Sequence, residues 1–395
     1  MSTTDAWDVV VVGGGPAGSA IAARLARFGF QVLLLDREHF PRDKPCGECL
    51  SPATVRALEA LGVLDAVLAA RPARLVGWRI HPPGAPAFTG DFPADCFGLA
   101  LPRIRLDALL LEHARAAGAD VRTGVRVTDL IWSGGRISGV RVVSAPGRAG
   151  EEIRARLVVG ADGLRSVVLR RLRLLRRAPR LRKLALTAHV AEIEGLGGRG
   201  ELHVLSDGCV GVAAVGDGTA NVTVVVAGAE AGRGVAGRRE EHFDRALASV
   251  LRRGGVRVGP VLATGPFDCP VRSAVAGGAL LVGDAAGYYD PFTGQGIYRA
   301  LRGAELASLA AQEALQRGDL SARALASYER ARRAAFAPGE RLQRLIEWVI
   351  SRPRLFDALA PHLARRERLT NTLVAVTGDI APARALLAPA NLLRA

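Results

Sequence analysis

The sequence has few aromatic residues and no long hydrophobic run. Phe, Trp and Tyr make up 5% of its 395 residues, and no stretch approaches the roughly 18 apolar residues that a membrane-spanning helix needs. We therefore predict no transmembrane segment. The opening residues, MSTTDAWD, place no basic region ahead of the first apolar segment, so no signal peptide is predicted and a cytoplasmic location is expected.

Cysteine is also scarce, with five residues: Cys46, Cys49, Cys96, Cys209 and Cys269. An odd number in a long chain without a predicted signal peptide argues against a disulfide framework. No cluster of cysteines and histidines has the spacing of zinc ligands. The sequence therefore predicts neither structural disulfides nor a metal site.

Lysine is nearly absent, although the chain is strongly basic. Only Lys44 and Lys183 are lysines, so arginine supplies nearly all of the net charge of +15. The arginines are scattered, and no basic motif interleaved with aromatic residues appears, which argues against a nucleic-acid partner. The densest run, 165–182, is interpreted as a solvated helix face, with peripheral contact to an anionic membrane as the alternative.

The stretch from Asp8 to Arg37 combines the features of a dinucleotide site. The run Val9–Val12 predicts a strand buried on both faces. An amphipathic helix over 17–28 and a second apolar strand ending in Asp36 follow it. A glycine-rich turn between the first strand and the helix admits a pyrophosphate to the helix N-terminus, and Asp36 is positioned to bind a ribose. The glycines that permit the turn have G-x-G-x-x-G spacing: Gly13, Gly15 and Gly18.

Further strands and helices place this unit in a larger α/β fold. Apolar runs that lead into Gly163 and Gly283 predict two more buried strands. Short alternating strands between 184 and 227 are typical of an antiparallel sheet with one covered face. A helix is expected over 54–70. The chain beyond about residue 320 is predicted to be helical, with breaks at four prolines: Pro338, Pro353, Pro361 and Pro382.

Three separated motifs occur in order along the chain: GGGPAG with Asp36, GADGLRS at 160–166, and GDAAGYYDPFTGQG at 283–296. Together they resemble the flavoprotein superfamily with the p-hydroxybenzoate hydroxylase fold. The loop PRDKPCGECLSP is most similar to its geranylgeranyl-reductase-like branch. The resemblance spans at least residues 8 to 310 and implies FAD as the cofactor.

The resemblance also implies an architecture. It is an α/β fold with a Rossmann-type FAD-binding domain of the p-hydroxybenzoate hydroxylase and glutathione reductase kind, an inserted antiparallel β-sheet substrate domain and a helical C-terminal region. A hydrophobic small molecule is the expected partner, and NAD(P)H or a separate reductase is the expected electron donor. The expected boundaries are 1–75 with 101–175 and 270–325 for the FAD-binding domain, 76–100 with 176–269 for the substrate domain, and 326–395 for the helical region.

Individual positions carry over from the matching motifs and the loops beside them. Arg103, in the pattern R-x-x-x-D with Asp107, matches an arginine near the FAD phosphates. Asp162 and Gly163 match a motif that supports FAD and in some relatives contacts NAD(P)H, and Asp284 matches the aspartate that binds the ribityl chain. The positions implied to bind FAD are Gly13, Gly15, Pro16, Ala17, Gly18, Asp36, Arg37, Lys44, Cys46, Gly47, Arg103, Val127, Asp162, Gly163, Gly283, Asp284, Pro291, Gly294, Gln295 and Gly296.

The segment around Pro291 and 294–296 is implied to lie against the flavin ring, where glycine N–H groups stabilise negative charge on a reduced flavin. Taken singly, Asp162 and Asp284 are better explained as turn residues than as ligands. Their interpretation as FAD ligands depends on the three motifs occurring together.

Reduction of a double bond in an isoprenoid or similar substrate is the reaction we favour. Cys46 stands where the resembling branch carries a cysteine beside the flavin, so it is the candidate catalytic residue, as proton donor or as a group that polarises the substrate. The branch's aromatic signature, tyrosine-x-tryptophan-x-phenylalanine-proline, falls at 209–214, which reads CVGVAA. Loss of those aromatics implies a different, wider apolar pocket.

Two other reaction types remain open. One is hydroxylation of an aromatic or polyketide metabolite by a flavin monooxygenase. Many hydroxylases carry histidine where this chain has Gly287, although tailoring oxygenases and halogenases also use GDAAG. The tryptophan-x-tryptophan-x-isoleucine-proline signature of halogenases is absent. The other is dithiol–disulfide chemistry at the CxxC pair Cys46 and Cys49. Lys44 and Glu48 are interpreted either as active-site residues or as a surface pair.

Overall fold

The N-terminal strand, helix and second strand form the unit that the sequence predicts. The fold is taken from a computed structural model, which describes residues 6–144, 150–179, 183–193, 195–227, 237–250, 255–290, 294–388 and 391. Strand β1 (Trp7–Val12) leads into helix α1 (Pro16–Arg27) and strand β2 (Val32–Asp36), and the two strands pair in parallel. The valines of β1 are at most 5% exposed, because both faces of a parallel sheet are covered.

The first sheet carries this unit at its centre. Its other strands are β8 (Asp120–Thr123), β9 (Arg126–Ser133), β10 (Arg136–Val143), β11 (Glu151–Gly160), β17 (Val275–Ala276) and β18 (Ala279–Leu281). The order is β17-β18-β11-β1-β2-β8, and β9 and β10 extend the sheet beyond the start of β11. Gly134 and Gly135, both with positive φ, turn the chain between β9 and β10, as a two-residue hairpin requires.

The second sheet combines two distant parts of the chain. Its strands are β5 (Gly77–His81), β6 (Phe88–Asp91), β12 (Lys183–Ala191), β13 (Arg199–Val204), β14 (Gly208–Gly216), β15 (Thr219–Ala227) and β16 (Val256–Thr264). The order is β16-β12-β15-β14-β13-β5-β6. The pair β13–β5 is parallel, whereas the other neighbours are antiparallel. This membership agrees with the segments assigned to a substrate domain, but the domain boundaries themselves remain a prediction.

The chain also forms a small third sheet. It contains β3 (Cys49–Leu50), β4 (Ala73–Leu75) and β7 (Gly98–Ala100), in the order β3-β7-β4. Because β3 directly follows the loop that carries Cys46, this sheet fixes one end of that loop.

The helices cover the outer faces of the sheets. They are α2 (Pro52–Leu61), α3 (Leu64–Ala69), α4 (Arg103–Ala116), α5 (Val167–Arg171), α6 (Arg239–Val250) and α7 (Gly296–Arg317), with short 3₁₀ helices at Gly283–Ala286 and Ala383–Leu387. The single helix expected over 54–70 is wrong. Gly62 adopts φ +81° and ends α2, since a left-handed residue at this position terminates a helix.

The C-terminal region is helical, as predicted, but two of the expected breaks are wrong. It contains α8 (Ala326–Ile350), α9 (Pro353–Ala364) and α10 (Glu367–Thr377). Pro338 lies inside α8 and Pro361 inside α9. A proline costs a helix about 3 kcal/mol. In α8, Tyr328, Phe336 and Gln343 are buried on both sides of Pro338, so packing offsets that cost.

The solvent-facing side of α8 carries an apolar and basic stripe. Leu345 and Trp348 are 56% and 48% exposed, and the Arg352 guanidinium lies 4.3 Å from the centre of the Trp348 ring. Arg341 shares this side at helical spacing. Among the described residues, no helix combines the length and apolar character needed to cross a bilayer.

The arginine run at 165–182 does not form the extended helix face that its composition indicates. Only Val167–Arg171 is helical, and 180–182 lie outside the described residues. Arg171 pairs with Asp129 at 3.2 Å, and Arg177 pairs with Asp268 at 2.6 Å. These arginines therefore connect the segment to the rest of the protein.

Candidate active site

A cavity of about 210 Å³ lies between the first sheet and the second. One wall comes from turns at the carboxyl ends of β1, β11 and β18, the usual position of ligand sites in α/β sheets. The opposite wall comes from β12, β14 and β15. Residues of the predicted FAD site that line the cavity are Gly15, Pro16, Ala17, Lys44, Cys46, Gly47, Arg103, Gly163, Gly283, Asp284, Gly294 and Gly296.

The glycine turn after β1 leaves one open approach to the helix N-terminus. A Cβ on Gly13 would lie 2.6 Å from the Ala161 carbonyl oxygen, and one on Gly18 would lie 1.8 Å from the Gly13 oxygen. These two positions serve close packing. A Cβ on Gly15 would meet only Arg42 Nη2, at 3.7 Å. Helix α1 also has no side-chain cap at Gly15, so its first N–H groups are available to a phosphate.

Asp36 is held by the turn that it faces. Its Oδ2 accepts a hydrogen bond from Gly14 N at 2.7 Å, and its Oδ1 accepts one from Glu38 N at 2.8 Å. Arg37 points to the surface and pairs with Glu38 at 3.1 Å. Val127 is buried in β9 and is not among the cavity-lining residues. Contact of Arg37 or Val127 with the cofactor therefore stays a prediction.

Arg103 begins α4 and forms a buried ion pair with Asp107. Its Nε and Nη2 donate to the two Asp107 oxygens at 2.7 and 2.6 Å, as the R-x-x-x-D spacing allows. Burial lowers the pKa of Arg103. Asp107 and then Cys46 raise it by a larger amount, so the net shift of this pKa is upward. Arg42 adds a contact to Asp107 at 3.0 Å. Sequence reasoning missed Arg42, which is a single arginine in a loop and carries no motif.

Lys44 and Asp162 both lie next to Gly163. A Cβ on Gly163 would lie 3.4 Å from Lys44 Nζ. Burial and then Arg103 lower the pKa of Lys44, against the opposing effect of Asp284. Asp162 caps α5 by accepting a hydrogen bond from Val167 N at 2.6 Å, so it is a turn residue as well as a candidate ligand. Its Oδ1 is buried with no hydrogen-bond partner among the described residues.

Asp284 and the start of α7 face the cavity from a third direction. Within the described part of the chain, the Asp284 carboxylate has no hydrogen-bond or ion-pair partner. Gly294 adopts φ +68°, and a Cβ there would meet no described residue within 4 Å. Gln295 turns its amide away, donating to Asp379 Oδ1 at 2.7 Å. Pro291 lies outside the described residues.

Glu48 connects the Cys46 loop to both walls of the cavity. It is 2% exposed, so it is not a surface residue, and it is among the residues that line the cavity. Its Oε1 accepts from Arg103 N at 2.7 Å. Its Oε2 accepts from His189 Nε2 at 2.7 Å and from Asn221 Nδ2 at 3.1 Å. The hydrogen bond to Glu48, followed by burial in the opposite sense, raises the pKa of His189.

The Cys46 loop is fixed at several atoms. Cys46 Sγ accepts a hydrogen bond from Glu48 N at 3.3 Å, and the Cys46 carbonyl oxygen accepts one from Asn221 Nδ2 at 2.9 Å. The Cys49 thiol donates a hydrogen bond to the Gly47 carbonyl oxygen at 3.2 Å. Burial, followed by the neighbouring Cys46 and Glu48, raises the pKa of Cys49. A raised pKa weakens a thiol as a nucleophile, which disfavours dithiol chemistry.

The wall formed by the second sheet is mostly apolar. Strand β14, which occupies the position of the missing aromatic signature, lines the cavity with Cys209, Gly211, Val212 and Ala213. A Cβ on Gly211 would meet nothing within 4 Å, so this strand leaves space where an aromatic side chain would fill it. Burial raises the pKa of Cys209 to about 12, and this thiol therefore stays protonated.

The residues present fit FAD. The open face of Gly15 suits a pyrophosphate, and the Asp284 carboxylate, which lines the cavity, offers acceptor oxygens to ribityl hydroxyls. The N-terminus of α7 supplies N–H groups for a reduced ring. The family described as FAD binding domain matches residues 6–338. The chain belongs to this family.

Relatives within the family extend the match over most of the chain. A digeranylgeranylglycerophospholipid reductase of Methanopyrus kandleri is 33% identical in an alignment that covers 82% of this chain and 85% of the reductase. A menaquinone reductase of Mycobacterium tuberculosis is 30% identical over 96% of this chain and 93% of the reductase. A solved myxobacterial chondrochloren halogenase, a variant of the FAD-dependent halogenases, is 28% identical with a TM-score of 0.76, over 87% of this chain and 82% of the halogenase.

These matches confirm the predicted geranylgeranyl-reductase-like branch, the fold and the FAD cofactor. The chain is an FAD-dependent oxidoreductase. The roles of single residues remain predictions, supported by where the structure places them.

Proposed function

We propose that this oxidoreductase reduces a carbon–carbon double bond in the isoprenoid chain of a lipid. One observation carries the proposal: a single cavity brings together the predicted FAD residues, the Cys46 loop and the apolar wall of the second sheet. The names of the relatives, which specify menaquinone and a digeranylgeranyl lipid, support a long apolar substrate.

The cofactor site and the reaction define what the chain must supply. Gly15, Asp36, Asp284 and the N-terminus of α7 would hold FAD, which in its reduced form supplies a hydride to one carbon of the double bond. The other carbon needs a proton. The protein therefore requires a proton donor inside a site that excludes bulk water.

Cys46 is the proton donor in this proposal. Its S–H bond breaks as the new C–H bond forms, which leaves a thiolate that water later reprotonates. Arg103 lines the same cavity as Cys46 and interacts with it electrostatically, so a positive charge is available to the sulfur that loses the proton. The N–H of Glu48 already donates to Sγ at 3.3 Å.

The wall opposite the flavin residues holds the hydrocarbon. Ala185, Val225 and Phe267 line it and are at most 8% exposed. They offer an isoprenoid dispersion contacts without polar partners. The space beside Gly211 admits a branched methyl group that a large side chain would exclude.

Anaerobic turnover of Cys46→Ser tests the proposal. With reduced FAD and an isoprenoid quinone or lipid, we expect wild-type product to gain two hydrogen atoms. The variant should keep its FAD and lose roughly 10²- to 10⁴-fold in kcat, the usual contribution of a positioned general acid. Cys96→Ser is the matched control, because Cys96 contacts Arg56 and does not line the cavity.

One result would contradict the role of Cys46, and another would contradict the function. Full kcat in Cys46→Ser would show that Cys46 is not the proton donor. A product that gains an oxygen atom after admission of O₂, with no anaerobic product, would identify a monooxygenase, the reaction class left open by the fold.

A further inference from the structure

Three metal-ligating side chains meet on the second sheet, away from the cavity. His81 lies on β5, and Glu201 and His203 lie on β13. Residues two apart on a strand share a face, and His203 pairs in register with His81 across the parallel seam. Leu202, between the two β13 residues, lines the cavity, so the cluster faces the opposite side.

The three groups are already close together. The Glu201 Oε2 atom lies 3.1 Å from His203 Nε2 and 3.6 Å from His81 Nε2. One ligand atom from each residue fits within a mutual distance of 4.8 Å. Arg79 contributes a nearby positive charge.

We propose that His81, Glu201 and His203 bind a zinc ion across the β5–β13 seam. Two imidazoles and one carboxylate form a three-ligand set that zinc accepts with water in the fourth position. The side chains are 27%, 17% and 13% exposed, which leaves room for that water. The imidazoles stack at 4.0 Å with a 12° interplanar angle, and rotation of each ring about χ2, a soft torsion, would direct their nitrogens at one ion.

The site acts as a clip in the fold. It joins strand 77–81 to strand 199–204, the parallel pair among the described strands of this sheet. Sequence spacing could not reveal it, because its ligands are about 120 residues apart. The proposal does not depend on the reaction at the flavin.

Zinc titration of the FAD-loaded full chain, after treatment with EDTA, tests the site. We expect one equivalent to bind, measured by competition with a chromophoric chelator, and the melting temperature to rise. Zinc-edge X-ray absorption should show only nitrogen and oxygen ligands near 2.0–2.1 Å. Glu201→Gln and His203→Gln should each weaken binding by roughly 100-fold or more, since even outer partners of a metal ligand contribute 10- to 100-fold.

His362→Ala, at an exposed position of α9, is the matched control and should bind zinc as the wild type does. Absence of stoichiometric zinc, unchanged affinity in both cluster variants, or sulfur ligands in the absorption spectrum would each overturn the proposal. FAD content and far-UV circular dichroism report whether the variants are folded. If either cluster variant misfolds, the ligand identity seen by X-ray absorption on the wild type decides the question alone.

Discussion

Replacing Glu48 by glutamine removes the buried charge that holds the Cys46 loop between the two walls of the cavity. The substitution keeps the size of the side chain. It changes one of two acceptor oxygens into a donor. The three groups that now bond to the carboxylate, Arg103 N, His189 Nε2 and Asn221 Nδ2, cannot all be satisfied by one oxygen.

The expected cost follows from that count. At least one donor loses its partner, and the new amide group meets another donor. Hydrogen bonds to charged groups contribute about 1.5–3 kcal/mol, and an unsatisfied buried group costs about 1–3 kcal/mol. We expect Glu48→Gln to lower the free energy of unfolding by about 2–4 kcal/mol, a large share of a typical total of about 5–15 kcal/mol.

The loss should depend on pH through His189. Its folded-state pKa is raised, chiefly by Glu48, and its side chain is 25% exposed. The resulting stabilisation is fully present below the unfolded pKa of about 6.5 and is lost as pH rises through the higher folded pKa. The gap between wild type and Glu48→Gln should therefore be larger at about pH 6 than at about pH 9.

Urea unfolding with saturating FAD measures the gap at both pH values. A double-mutant cycle with His189→Asn should remove its pH dependence. Glu152→Gln, which breaks only exposed pairs with Arg141 and Arg154, is the control and should cost less than about 1 kcal/mol. A loss below about 1 kcal/mol for Glu48→Gln, or one that is equal at both pH values, would refute this reasoning.

Three further changes test other parts of the fold. Gly15→Ala should fold normally and weaken FAD binding by about tenfold or more, because its Cβ enters the open approach to α1. Gly197→Ala, where a Cβ meets nothing within 4 Å among the described residues, should leave the FAD affinity measured by fluorescence unchanged. Burial raises the pKa of Asp379 to about 8, so the free energy of unfolding of the wild type should decrease as the pH rises from about 4 to about 8. Asp379→Asn should lose that decrease when both proteins are unfolded chemically across this pH range, and parallel pH profiles of the two proteins would contradict the prediction. Trp348→Ser should reduce the salt-sensitive sedimentation of the protein with anionic vesicles. Leu309→Ser, at a separate exposed leucine, should leave it unchanged, and equal sedimentation of the two variants would exclude the α8 stripe as the surface that contacts the membrane.

The N-terminal unit could be predicted because its determinants are local. Valines, glycines and Asp36 act within about thirty residues, and each has a backbone or burial requirement that the sequence displays. The same holds for the hairpin at Gly134 and Gly135. Most of the residues that are predicted to bind FAD line one cavity.

The rest depends on distant partners that a sequence pattern does not contain. Glu48 became a buried hub only because Arg103, His189 and Asn221 reach it from three other elements. Pro338 stays helical because buried residues on both sides hold α8 against the protein, which overrides the local preference. Gly62 is the opposite case, where one glycine decides against a continuous helix.

The parallel pairing of β5 with β13 has a consequence for how the polypeptide is made. The edge of β5 that will receive β13 leaves the ribosome about 118 residues before Arg199 does. At synthesis rates of about 5–20 residues per second, that edge waits roughly 6–24 s for its neighbour. An unpaired strand edge is a template for association with other chains. During this interval the growing protein exposes a strand edge to other chains that the finished enzyme covers with β13.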